Sequence, residues 1–219
     1  MKEGDFVYVD YTGSIKESKS VFDTTKEEVA KKSGIYSSQV KYRPIPLIIG
    51  ANFTFKHLEE EIKKMQVGDN KTVEIAMNNA FGQRRADLVK LIPLAEFKNS
   101  DIDPAVGNNI TVNGMNGKII SVSGGRVNVD FNHPLAGKDL VYEIEVKNTI
   151  NDHNEKVRAI VSYFTGSEEA STEVTVKEKH VKIVTDKDKE VHPGIKKYIA
   201  DTIRKWVENY EKIEFVDVY

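Results

Sequence analysis

The chain contains no cysteine among its 219 residues. Disulfides and thiol chemistry are excluded, which suits a reducing compartment. No apolar run is long enough to span a bilayer, and the polar start Met1 to Asp5 leads into a strand pattern rather than a secretion signal. A cytoplasmic location is the expectation. Charge of one sign is also lacking: 32 Lys and Arg stand against 34 Asp and Glu, a formal net charge of −2. That balance creates no strong field for nucleic acid or membrane, and neither is expected as a partner. The histidines do not cluster. His57, His153, His180 and His192 read as structural or exposed side chains, and neither a metal nor a cofactor is expected. What remains, 39% hydrophobic and 30% charged residues, fits a well-solvated globular chain of one large domain or two to three small ones.

The clearest pattern runs from Val141 to Lys147. Tyr142, Ile144 and Val146 face one way and Glu143, Glu145 and Lys147 the other, the period of a half-buried antiparallel strand. Asn132-His133-Pro134-Leu135-Ala136-Gly137-Lys138-Asp139 ahead of it is a polar turn. Near the start, Phe6 to Tyr11 is β-rich, with Val7, Val9 and Tyr11 on one face, and stops at Thr12-Gly13. Val21-Phe22-Asp23-Thr24-Thr25 fits two readings. Thr24 or Thr25 caps a short helix through Glu27, Glu28 and Val29, or Asp23 is a carboxylate at the rim of an apolar pocket. The prolines of Pro44-Ile45-Pro46-Leu47-Ile48-Ile49 restrict that strand to an edge or a strand start. Phe55, Leu58, Ile62 and Met65 form a helical stripe, with Glu59–Lys63 and Glu60–Lys64 pairs on the solvent side. Lys71 to Met77 alternates, with Val73, Ile75 and Met77 inward.

N-H-P-L-A-G-K-x-L before an alternating strand resembles the closing segment of SlyD-like FKBP-type peptidyl-prolyl cis-trans isomerases. Val21-Phe22-Asp23-Thr24-Thr25 resembles the family segment in which an aromatic and an aspartate line the prolyl pocket. Tyr11-Thr12-Gly13 resembles the Y-T-G whose tyrosine hydrogen-bonds that aspartate. The resemblance implies an α+β fold: an antiparallel sheet wrapped on a short helix, an inserted small all-β subdomain, and a C-terminal α/β domain. The implied limits are 1–83 with 132–150, then 84–131, then 151–219. The implied site is Tyr11, Phe22, Asp23, Phe55, Leu58, Phe81 and Tyr142. Phe22, Phe81 and Tyr142 wall the proline ring over Leu58. The Phe55 backbone N–H holds a carbonyl, and Asp23, oriented by Tyr11, faces the rotating one. Three residues depart from the family pattern: His57 for the usual Gly, Leu58 for a frequently larger aromatic, and Phe81 for the tyrosine of A-Y-G. Phe81 keeps the ring and loses a hydrogen-bond donor. Ile35-Tyr36, inside the extra stretch 26–43, resembles the archaeal long-type branch; that stretch reads as a surface excursion.

Residues 84–131 are too many for a structureless loop. Leu88 to Pro93, Asn109 to Asn113, Lys118 to Val122 and Arg126 to Phe131 are strand-like, Gly124-Gly125 marks a hairpin, and Pro93 to Phe97 reads as one helical turn. This stretch resembles the family's insert-in-flap domain, which captures unfolded polypeptide; a stability module without a partner is the plainer reading. The tail reads α-β-β-α-β: a helix carrying Val157, Ile160, Val161 and Phe164, strands Glu173 to Lys177 and His180 to Val184, a helix opened by His192-Pro193-Gly194 with Ile195, Ile199, Ile203, Trp206 and Tyr210, and a strand from Ile213 to Val218. So small a unit is expected to pack on a neighbour or on a second copy. The expected activity is prolyl isomerisation with binding of unfolded or proline-containing chains. The alternatives are a non-catalytic holdase and a scaffold dimerised by the tail.

Overall fold

A computed structural model describes residues 1–97, 104–167, 173–184 and 191–217. It shows a mixed α and β chain in two compact units, residues 1–75 with 141–219 and residues 76–140.

The first unit is built on β1 (Phe6–Ile15). Strands β2 (Val21–Thr24) and β3 (Ile45–Ile48) pair antiparallel with its two halves, Thr12 opposite Thr24 and Phe6 opposite Ile48. On its other side the sheet continues through β9 (Leu140–Ile150) to β4 (Asn70–Ile75). Pro46 sits opposite Tyr8 on the edge strand β3, where a missing N–H is tolerated. The inward alternation of β9 holds: Leu140, Tyr142, Ile144 and Val146 are buried.

Helix α2 (Lys56–Lys63) buries Leu58 and Ile62 and packs on β4. Its polar side departs from expectation. Glu59 is buried and accepts a hydrogen bond from the Gly50 N–H, while Glu61 takes the place of Glu60 as the partner of Lys64, at 2.6 Å. A side chain that can satisfy a buried backbone donor gains more there than in a solvated pair. Strand β4 also ends at Ile75, and Met77 belongs to the 3-10 turn Met77–Asn79 instead of continuing inward.

β1 is covered on both faces. Phe6, Ile48 and Ile150 join Val157, Ile160 and Val161 of α3 (His153–Thr165) and Ile199 and Ile203 of α4 (Pro193–Trp206) in one buried cluster. The C-terminal elements thus pack on the first sheet of their own chain. Asp152 caps α3 through Glu155 N, at 3.0 Å. Gly166, at φ 66°, ends the helix in the left-handed conformation. The small sheet here orders β10 (Glu173–Lys177), β11 (His180–Val184) and β12 (Lys212–Val216), with β12 parallel to β11 across the α4 crossover. Helix α4 ends at Trp206, so Tyr210 is buried from the loop beyond it. Val218, expected in the last strand, lies outside the described residues.

The second unit holds an antiparallel sheet in the order β5 (Val89–Pro93), β8 (Arg126–Asp130), β7 (Met115–Ser123), β6 (Asn109–Val112). Ile110, Ile119, Val127, Val129 and Phe97 form its core. The β6–β7 turn is Asn113-Gly114, both at positive φ.

Candidate active site

The site begins with the pairing of β1 and β2. Thr24 Oγ1 donates to the Tyr11 carbonyl at 3.0 Å, and Thr25 Oγ1 accepts from Tyr11 N at 2.9 Å while donating to buried Asp10 at 2.7 Å. These bonds fix the Tyr11 backbone. Thr24 also accepts from Lys26 N at 3.1 Å, but α1 (Glu27–Lys32) has no side-chain cap of its own. The helix-cap reading of this segment therefore fails: Lys26 stands at the N-cap, the threonines tie the β1–β2 pairing instead, and Asp23 is left exposed.

With its backbone held, the Tyr11 hydroxyl reaches Asp23 Oδ2 at 2.6 Å. Burial foremost, then the hydrogen bond and charge of Asp23, push the Tyr11 phenol well above its ordinary range. Tyr142, from β9, lies 5.9 Å from Tyr11 and 5.8 Å edge-on from Phe22, ring centre to ring centre; Phe55 is 6.2 Å away. Burial, and secondarily Asp23, push the Tyr142 phenol up to about 12. Both tyrosines are neutral at physiological pH.

Gly13 makes this cluster feasible. A Cβ there would lie 2.7 Å from Phe22 Cζ and 3.1 Å from Tyr142 Cε1. The glycine lets two rings close over the strand.

Tyr11 and Tyr142 also border a largely apolar hollow of about 270 Å³, with Leu58, Ile45, Leu47 and Thr54 in its wall. Leu58 is 4% exposed, at the base of α2, and Phe55 is the residue that caps that helix. Sequence reasoning missed two lining aromatics, Phe53 and Tyr163. Tyr163 comes from α3 but stands outside its apolar stripe, so nothing in the helical pattern linked it to Phe53. Their rings stack at 4.1 Å, and the Tyr163 hydroxyl donates to the Phe53 carbonyl at 3.0 Å.

Phe81 lies in the second unit, where its ring stacks on His133 at 4.0 Å. The N-H-P-L-A-G stretch acts there as a clasp. Asn132 accepts from Arg85 N at 2.8 Å and donates back to the Arg85 carbonyl at 2.9 Å. Arg84 donates twice to Asp130 Oδ2, at 2.7 and 2.9 Å, and Gly137 N donates to the Gly82 carbonyl at 2.8 Å. The motif thus holds together the two strands of chain that enter and leave the inserted sheet.

His57 lies 4.0 Å from Glu60, and among the described residues no group of three or more His, Cys, Asp or Glu could hold a metal ion. No helix among them is long and apolar enough to cross a membrane.

Comparison with known proteins gives this geometry a lineage. Residues 90–135 match the family model described as "FKBP26, IF domain", and residues 153–219 the one described as "FKBP26_C-terminal". The short-type peptidyl-prolyl cis-trans isomerase of Methanocaldococcus jannaschii is 40% identical, over 67% of this chain and 92% of its own length. The FKBP-type peptidyl-prolyl cis-trans isomerase SlyD of Helicobacter pylori is 28% identical, over 61% and 72%. The FKBP-type 16 kDa peptidyl-prolyl cis-trans isomerase of Escherichia coli is 33% identical, over 41% and 62%. The chain belongs to the FKBP-type peptidyl-prolyl cis-trans isomerases, in their SlyD-like branch.

Proposed function

We propose that this isomerase turns X–Pro bonds in the hollow beside Tyr11, Leu58 and Tyr142, and holds unfolded chain on its inserted sheet. The observation that carries the first part is the meeting of Tyr11, Leu58 and Tyr142 at one apolar hollow, with Phe22 edge-on to Tyr142 and Asp23 bonded to Tyr11. X–Pro bonds exchange over tens to hundreds of seconds. The twisted amide of the transition state has lost its resonance and is less polar at C, N and O than the planar one. A dry aromatic wall favours the twisted form by differential binding and desolvation. Phe22 and Tyr142 wall the ring and Leu58 floors it. The Phe55 N–H, at the start of α2, is assigned the peptide carbonyl. Asp23 faces the rotating carbonyl as an electrostatic partner; no proton moves in the reaction. Refolding of a proline-limited protein tests this. Acceleration is expected, and an unchanged rate at high enzyme concentration rejects it.

Two observations support the second part. The inserted unit leaves Leu91 and Val106 more than half exposed, and β5 and β6 stand at the two ends of its sheet as edges able to add a strand. In this reading 84–131 forms the client-binding domain, inserted between 1–83 and 132–150, with 151–219 as a C-terminal domain. Deleting 84–131 is expected to abolish suppression of client aggregation while short-peptide isomerisation persists. Self-association through 151–219 belongs to the same proposal, supported by Tyr198 standing 68% exposed on α4. Equal sedimentation masses with and without that segment, relative to one chain, reject it.

A further inference from the structure

Tyr163 borders two hollows. One is the candidate prolyl site. The other, of about 330 Å³, shares Ile45 and Tyr163 with it and is lined further by Lys41, Pro44, Pro46 and Gly166. We propose that this second hollow is a subsite for the residue next to proline in the substrate, and that Tyr163 selects an apolar side chain there. The proposal rests on the reading that the first hollow takes the proline.

Continuity is the first argument. Neighbouring residues of an extended chain are about 3.8 Å apart at Cα, so a side chain adjacent to the proline reaches across one ring to the far side of Tyr163. Chemistry is the second. The dividing wall is an aromatic stack: Tyr163 lies on Phe53 at 4.1 Å and 15°, and Phe164 meets both rings edge-on at 5.8 and 5.3 Å. Ile45, Pro44 and Pro46 continue the apolar lining. Rigidity is the third. The Tyr163 hydroxyl is bonded to the Phe53 carbonyl, and the adjacent Ser162 is held by Arg43 at 2.8 Å, which also donates to the Ser167 carbonyl at 2.6 Å. The stretch 26–43, read from sequence as an excursion, thus ends by anchoring the helix that supplies the divider. Tyr163 nevertheless keeps 36% of its surface exposed, so a face is available to a ligand.

A tyrosine that only seals α3 onto the sheet would, on removal, slow every substrate by one factor. A selecting residue changes the ratios. The test measures kcat/KM of the full chain on two series of proline peptides, one varying the residue before proline and one the residue after it, each through Gly, Leu, Phe and Glu. Tyr163→Ala is expected to cut the preference for Leu and Phe over Gly about tenfold in one series, the low end for loss of an apolar contact. Tyr163→Phe keeps the ring and is expected to keep the preference. Ala is the better helix former, and Tyr163→Leu, which keeps apolar bulk, stands in if Tyr163→Ala fails to fold. Equal factors across both series would overturn the proposal. Tyr142→Ala separates the layers. If it runs at the wild-type rate, the prolyl reading fails and takes the subsite with it. If it is slow while the Tyr163→Ala ratios stay unmoved, the subsite alone is wrong.

Discussion

The Tyr11 hydroxyl donates to Asp23 Oδ2 at 2.6 Å across the antiparallel pairing of β1 and β2. Asp23 is exposed, so this bond gives the carboxylate one orientation rather than many. Tyr11→Phe keeps the ring in the hollow and releases Asp23. A fall in kcat/KM of about tenfold is expected, the lower range for a hydrogen bond to a charged group, with the thermal midpoint nearly unchanged. Peptide isomerisation assays and a melting curve check both halves.

Alkaline pH probes the burial of the same cluster. Tyr142 has its phenol raised to about 12, and Tyr11 is raised as well. In the unfolded chain both ionise near 10, as free tyrosine does. The stability they contribute is therefore present in full below pH about 10 and is lost as pH rises towards the folded values, because only the unfolded state then releases protons. Urea midpoints from pH 9 to 12 are expected to fall, and Tyr142→Phe is expected to flatten part of that fall.

Gly13 and Phe22 make the third case. A Cβ at position 13 would lie 2.7 Å from the far end of the Phe22 ring, which is only half-buried and can swing away. Gly13→Ala is thus expected to cost about 1 kcal/mol or less in stability, at or below the mild end of overpacking, yet reduce kcat/KM several-fold by parting Phe22 from Tyr142. Chemical denaturation and the peptide assay, run together, separate these effects.

Arg43 supplies the fourth. Its guanidinium donates to buried Ser162 Oγ and to the Ser167 carbonyl. Arg43→Ala leaves buried Ser162 Oγ without its donor, while the Ser167 carbonyl keeps the Ser162 hydroxyl at 2.9 Å, and a loss of about 1–3 kcal/mol is expected. Hydrogen exchange should speed at the C-terminal end of α3 well before it speeds in β9.

Much of this was legible because it is local. The alternation of β9, the apolar stripe of α2 and the Gly124-Gly125 hairpin each declare themselves within a few residues. What stayed hidden depends on distant cover. The face of β1 that carries Phe6 is buried only because α3 and α4 lie over it. Glu59 turned inward because the Gly50 N–H needed an acceptor. Met77 N donates to Asp139 Oδ1 at 2.8 Å, a bond formed across 62 positions that no strand pattern could disclose. Of the candidate site, Tyr11, Leu58 and Tyr142 were legible through resemblance. Phe53 and Tyr163 were not, since a tyrosine at helical spacing on α3 looks like any other core or surface ring.

The most direct test is exchange NMR on a proline peptide with wild-type enzyme and with Tyr142→Ala, each confirmed folded by its β-sheet signals. The account predicts that the wild type speeds cis–trans exchange and that the variant loses at least about tenfold, since truncating a buried aromatic removes a wall of the hollow. Equal catalysed exchange by both proteins would contradict it.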